Sequence, residues 1–492
     1  MMQKLIHFLS ILFVFCTTGF SQIVSIDYIL NQEVEDLEES EYFKKGEVKF
    51  FQTALETGFN QFKIEDSSTI KKLEDKTIYK VELYYSSYKE SDGFSQNILN
   101  KKRLSYLMQV LPFVFENNAI EWKLVNQVEN EDKNKAQDLF HGFVFYSREP
   151  IIALKDGTLI TLTTEDEINI IKSALGETIP RDSSSALSKL CMTICDSIGA
   201  DTLITYTEHK VYSGKYWPNN ARRKAKGKLL KRKSIWNRAP EYRMIRDSVL
   251  TISIRSDCYG DALAKILEDS KSHFYSSFSN HKFLDTVVKK TMMNNTWKNA
   301  LVVEDVTGSM YPYLTQTLQW RRLKFATSNL DNFAFFNDGD NRPDGKKGMS
   351  YGVYNVHSDS ITAIEKMAFA TMRKGNGGRS PENDVEAMIR GVEQSKRQVE
   401  HIILIADNLA AVRDMSILDE FMGKNIPVSV IVCGATKGRV NYQYIDIARI
   451  SGGQLFTIEE DIRFTTPLAE GEEITLGVQT FIIRNGKLVL IK

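Results

Sequence analysis

The residues Asp305-Val306-Thr307-Gly308-Ser309 close an apolar run, Ala300-Leu-Val-Val-Glu304, that has the composition of a buried strand. An acid and two hydroxyls at such a point are hard oxygen donors rather than core. Gly308 lets the turn stay tight. Two later segments offer the same chemistry. Ser380 lies in KGNGGRSPEN (374–383), where Gly377 and Gly378 give a tight, accessible loop and Pro381 is placed to open the next helix. Asp407 closes the apolar run HIILIAD (401–407). Two carboxylates, three hydroxyls and room for water suit a hard divalent cation. No histidine or cysteine joins them, which argues against zinc or iron. Each segment alone also reads as an ordinary helix cap. All three, in order and at strand ends, read better as one metal site.

The elements that must position these groups alternate from residue 298 onward. Apolar strands at 300–305, 332–337, 401–407, within PVSVIVCG (427–434), and at 453–458 are separated by helical segments at 313–330, 360–372, 382–396, MSILDEFMG (415–423) and YIDIARIS (444–451), with a short strand in GVYNVH (352–357). The runs near 301, 402 and 428 are almost unbroken in apolar character, as strands covered on both faces must be. The pattern predicts an α/β fold, a doubly wound, mostly parallel sheet over 298–466, with ligands bound beyond the C-terminal ends of its strands. The tail 473–492 reads as a β-hairpin of two strands turning at Asn485-Gly486, a type I′ signal.

Residues 298–466 resemble a von Willebrand factor type A domain with its metal-ion-dependent adhesion site. The resemblance rests on EDVTGSM, GGRSPEN and IADN and covers about a third of the chain. Family likeness implies that Thr307 and Ser309 touch the ion directly, that Ser380 fills the place of a threonine, and that Asp305 and Asp407 act mostly through waters. Thr307 stands where serine is more frequent and keeps the hydroxyl. Ser380 lacks the threonine methyl that stiffens the side chain. The implied ion is Mg²⁺ (or Ca²⁺), and the implied partner is a protein offering Asp or Glu to the ion's open position. That means adhesion or envelope assembly rather than turnover, in a bacterial secreted protein.

Other features qualify this reading. The loop FFNDGDNRPDGKKG offers Asp338, Asp340 and Asp344 as a candidate second calcium loop, without the spacing of an EF-hand. Tyr311, Tyr313 and Arg379 are candidate partner contacts, since aromatics and arginine anchor interfaces. His401 starts the strand that Asp407 ends, so no base is expected beside the site, and no nucleophile elbow or phosphate-binding loop is present. A metal-assisted hydrolase with its activity in the N-terminal region, or a purely structural envelope protein, are the alternatives.

Residues 22–290 read as a mixed α+β region that matches no family pattern. Residues 22 to about 63 read as helix or irregular structure. Strands are expected at 77–88, 119–129, 140–148 and 159–164, and helices at 99–118 (interrupted by Pro112), after Thr164, and at 183–199. The basic segment 222–238 carries Arg222, Arg223, Lys224, Lys226, Lys228, Lys231, Arg232 and Lys233 with no acid between them. It reads as an exposed segment able to meet an anionic surface. Lacking interleaved aromatics, it is not a nucleic-acid motif. Lys+Arg and Asp+Glu both number 63, so net charge selects no partner.

At the N-terminus, Lys4, the apolar run Leu5–Phe15, and Gly19 and Ser21 before Gln22 read as a cleaved secretory signal over 1–21. The run is too short to span a bilayer, and no transmembrane helix is expected in the mature chain. Phe15 and Phe13 before Cys16 do not fit a lipidation signal. The expected setting is secreted or periplasmic, in a bacterial cell envelope. Cys191, Cys195, Cys258 and Cys433 are too few for a disulfide scaffold, and the sequence leaves open a disulfide among the first three.

Overall fold

Runs of β-branched and aromatic residues supply the strands, and their burial separates central strands from edges. The computed structural model describes residues 24–148, 151–153, 159–198 and 286–492 apart from short breaks, with isolated pieces between 209 and 266. The signal at 1–21, the basic segment 222–238, Cys258, Asp344, Arg379 and Ser380 lie outside the described residues.

Strands β1 (Val34–Leu37), β2 (Gln52–Glu56), β3 (Thr77–Tyr85), β4 (Glu121–Gln127) and β5 (Gly142–Arg148) form a mixed sheet in the order β1-β4-β3-β5-β2. β4 runs parallel to β1 and β3, and β5 antiparallel to β3 and β2. The reading of residues 22 to about 63 as helix or irregular structure is therefore corrected. β1 is an exposed acidic edge strand and β2 is mostly half-buried, so neither shows the apolar alternation by which a strand is recognised. The helix Gln96–Val110 stops just before Pro112, where the proline ring and missing N–H oppose continuation. Its buried Arg103 donates to the carbonyls of Gln61 and Gly58 at 2.8 and 2.9 Å and so pins that loop.

Next come β6 (Ile151–Ala153) and β7 (Leu159–Thr161), a two-stranded ladder, and the helices Thr164–Ala174 and Ala186–Ile198. Short strands β8 (His209–Val211), β9 (Tyr242–Ile245) and β10 (Ser248–Thr251) pair antiparallel.

The seven-stranded sheet is built from β11 (Ala300–Asp305), β12 (Asn332–Phe336), β13 (Val353–His357), β14 (His401–Asp407), β15 (Val428–Cys433), β16 (Gln454–Phe456) and β17 (Asp461–Arg463). Its order is β13-β12-β11-β14-β15-β16-β17. β11 is parallel to β12 and β14, and β15 to β16, while β13 and β17 are antiparallel edges. The sheet is thus parallel-rich within a mixed α/β chain. β17 goes beyond the expected last strand, because three mostly exposed residues carry no apolar signal.

The tail is a three-stranded antiparallel sheet of β18 (Glu473–Leu476), β19 (Gln479–Arg484) and β20 (Lys487–Leu490), not a hairpin of two. Asn485 and Gly486 both have positive φ, 53° and 73°, as a type I′ turn requires. The extra turn is Gly477-Val478, with Gly477 at φ 53°.

Contacts divide the chain into two units. One unit comprises Met1–Arg148, Arg379–Glu382 and Asn408–Lys492, and the other Glu149–Gly378 and Asn383–Asp407. The first is tied by buried amides. Asn118 Nδ2 donates to the Val440 carbonyl at 2.6 Å and to Gln479 Oε1 at 3.1 Å, while its Oδ1 accepts from the Tyr442 N–H at 2.9 Å. Gln479 Nε2 returns a bond to the Asn118 carbonyl at 2.8 Å. In the second unit, the helix Thr164–Ala174 is held against the helices Tyr311–Lys324 and Ile361–Lys374. Arg322 donates to the Leu175 carbonyl at 2.8 Å, pairs with Glu365 at 2.7 Å and also pairs with Glu177. Arg373 pairs with Glu165.

Candidate metal centre

In chain order, strands β11 to β16 stand in the sheet as 3-2-1-4-5-6. The winding reverses between β11 and β14, and ligands of open α/β sheets gather beyond the strand ends at such a switch point. These two strands are parallel, with Glu304 opposite Ile405, so Asp305 and Asp407 emerge at the same end.

Asp305 is 1% exposed. Its Oδ1 accepts the Thr307 N–H at 2.8 Å, while Oδ2 is buried without a hydrogen-bond partner. Thr307 has extended backbone (φ −62°, ψ 160°), and its buried Oγ1 likewise makes no hydrogen bond of ordinary geometry. Ser309 Oγ donates to Asp407 Oδ2 at 2.7 Å. Burial pushes the Asp305 carboxyl far above the usual carboxylate range. The Thr307 N–H and the nearby hydroxyl partly offset this, and the charges of Asp407 and Asp338 add to the rise. Four of the five expected ligands are therefore together, and Ser380 lies outside the described residues.

Of the candidate second calcium loop, Asp338 and Asp340 are described and Asp344 lies outside the described residues. Asp338 is fully buried at φ 55°, and its charge also acts on Asp305. Asp340 is engaged by Asn337 Nδ2 at 3.1 Å and by the Tyr354 hydroxyl at 2.6 Å. The candidate contacts also change. Tyr313 is 1% exposed, because Tyr313, Leu314, Thr317, Leu318 and Arg321 form the inward face of their helix. Tyr311 is half-buried against the cluster containing Ile160, Leu162, Ile170 and Leu187. Arg379 lies outside the described residues.

Two acids escaped the sequence reading. Glu304, fully buried, accepts from Thr317 Oγ1 at 2.7 Å, and burial pushes its carboxyl up to about 8. Glu167 is 5% exposed, and burial, with Asp166 adding, pushes it up to about 8. Its carboxylate lies against Gly308, where a Cβ would stand 2.9 Å from Oε1. Thr163-Thr-Glu-Asp-Glu167 reads only as a capped helix start, and Thr163 and Asp166 do form that capping box. No signal in it pointed to the strand end.

Among the described residues no three His, Cys, Asp or Glu side chains converge as metal ligands. The set here mixes acids with hydroxyls. A hard divalent ion fits it, because a buried carboxylate oxygen and a buried hydroxyl lack partners and the charged groups acting most on Asp305 are acids. Compared with known proteins, the chain matches no family model, no curated protein and no solved structure. Among the described residues no helix is long and apolar enough to cross a membrane.

Proposed function

We propose that this chain is an exported, metal-dependent protein-binding protein with a von Willebrand factor type A-like region. In this reading Asp305, Thr307, Ser309, Ser380 and Asp407 hold one Mg²⁺, or Ca²⁺, with Asp338 adding negative charge nearby. The observation that carries it is the pair of orphaned oxygens at the switch point, Asp305 Oδ2 and Thr307 Oγ1. Burying polar atoms without partners costs about 1–3 kcal/mol each, and an ion would recover that cost. When bound, the ion supplies an electrophilic centre that attracts a carboxylate. The chain's own residues position it: β11 and β14 fix the two acids, and the Thr307 N–H orients Asp305.

Binding rather than turnover is supported by the place of His401, at the far end of the strand that Asp407 closes. The signal-like residues 1–21 support export as the setting in which the site meets a partner. Calorimetric titration of the full chain with MgCl₂ and CaCl₂ tests the site. Wild type is expected to bind one ion, and Asp305→Asn to lose most of that affinity. No binding of either ion by wild type would overturn the reading.

A further inference from the structure

A cavity of about 550 Å³ opens within the first unit, in the size range of small-molecule sites. Buried Ile78, Ile120, Leu409 and Val412 line its apolar part. The short helix Phe113–Glu116 joins the wall by its phase. Val114 and Phe115 are buried, so Phe113 and Glu116, three apart, share the other side and reach the cavity. Tyr442 lines it as well. Buried amides hold this wall in place. Asn117 Nδ2 donates to the Leu409 carbonyl at 2.9 Å. Gln443 engages both backbone groups of Val412, accepting the N–H at 2.8 Å and donating to the carbonyl at 3.0 Å.

The Glu116 carboxylate brings an unanswered charge to this cavity. Burial pushes its carboxyl up, and among the described residues no hydrogen bond or cation offsets the rise. Asp446, in the same unit, shows the contrast: burial raises it too, but Arg449 pairs with it at 2.6 Å. Lys76 and Arg413 also stand at the cavity, and each is engaged within the chain, Arg413 by the Pro381 carbonyl at 3.2 Å. Glu74 adds a second acid at the exposed margin. The Glu116 charge acts on Tyr442, so this aromatic residue lies close to the carboxylate. A half-buried carboxylate beside aromatic side chains, next to an apolar floor, is the chemistry that recognises an ammonium group.

We propose that this cavity binds a small molecule carrying a protonated amine on an apolar body. Glu116 takes the ammonium, with Phe113 and Tyr442 beside it, and Ile78, Ile120, Leu409 and Val412 take the apolar body. The site shares no residue with the proposed metal centre and stands or falls independently of it.

Hexylamine, protonated at neutral pH, serves as the probe on the full chain, with hexanol as its neutral and hexanoate as its anionic counterpart. Affinities are measured by ligand-observed NMR for wild type, Glu116→Gln and Glu116→Lys, and circular dichroism confirms that each is folded. Wild type is expected to prefer hexylamine over hexanol by about 10-fold or more. Glu116→Gln removes the charge at nearly constant shape and is expected to erase that preference while still taking hexanol. Glu116→Lys is expected to place hexanoate ahead of hexylamine. Wild type that binds hexylamine no better than hexanol, or the same ranking in all three proteins, would overturn the proposal. So would wild type that binds none of the probes. Binding of the blocked peptide acetyl-Leu-Lys-Leu-amide without binding of hexylamine would also overturn it, since the cavity would then be a peptide-docking surface.

Discussion

Thr307→Val separates a metal-ligating hydroxyl from a merely structural one. Valine keeps the shape and suits the extended backbone at this position, so the change removes one buried oxygen and little else. That oxygen makes no hydrogen bond of ordinary geometry in the structure. Losing an unsatisfied buried polar atom stabilises by about 1–3 kcal/mol. Part of this is offset, because the hydroxyl lowers the charge cost at Asp305. The variant should therefore melt no lower than wild type in chelator. Magnesium reverses the comparison. At about 100 times its dissociation constant a ligand stabilises the native state by roughly 2.7 kcal/mol. At roughly 2–4 °C per kcal/mol for a unit of this size, wild type should gain about 5–10 °C. The valine variant should gain little. Scanning calorimetry of the full chain, with EDTA and with saturating MgCl₂, reads both effects. A variant that melts several degrees lower in EDTA would show the hydroxyl is satisfied without an ion. An equal magnesium increment in both proteins would show that Thr307 is not a ligand.

Asn118→Ala should be among the more damaging changes in the first unit, because it strands the Val440 carbonyl and the Tyr442 N–H in the interior. The expected loss is about 2–4 kcal/mol, read by denaturant titration, and a loss under about 1 kcal/mol would mean water replaces the amide. His401 gives a pH dependence. Its folded-state value is pushed down by burial to about 4 from 6.5, so its contribution is complete above pH 6.5 and is lost as pH falls toward 4. Between pH 7 and 5 this amounts to about 1 kcal/mol once its partial exposure is discounted. His401→Gln should therefore lose roughly 2–4 °C less in melting temperature over that interval than wild type, and parallel profiles would remove the histidine as the cause.

How far the sequence could be read follows from how each element is stabilised. β11, β14 and β15 were legible because buried parallel strands must be continuous apolar runs. Asp305 and Asp407 were legible because an acid ending such a run breaks the pattern abruptly. β1 and β17 were not, because an edge strand keeps its side chains in water and is defined by a partner distant in sequence, Leu124 for Val34. Tyr313 was misjudged for a related reason: aromatic residues serve core and interface equally, and only helix phase against the sheet decides. That the Asp338 charge acts across strands on Asp305 could not be read from the spacing of its own loop. Glu167 was invisible, since its relation to Gly308 exists only in three dimensions.

The placement of charge in the second unit bears on what the strand end is for. This unit can neutralise acids well: Arg322 joins Glu177 and Glu365, Arg373 joins Glu165, and Arg390 joins Glu386 at 2.8 Å. The Arg322 and Arg373 pairs fasten one element to another, and Arg390–Glu386 spans one turn of a single helix. At the switch point the same chain gathers Asp305, Asp407 and Asp338, with Glu167 against Gly308. The charged groups acting most on Asp305 are acids, not those arginines. A fold selected only for stability would place an arginine there or replace the acids, since like charges in a buried site raise the free energy of the native state. Strain of this kind persists where a ligand later relieves it. In the proposed reading, a hard cation would relieve these clustered carboxylate and hydroxyl oxygens, and its remaining charge would draw an acidic group from a partner.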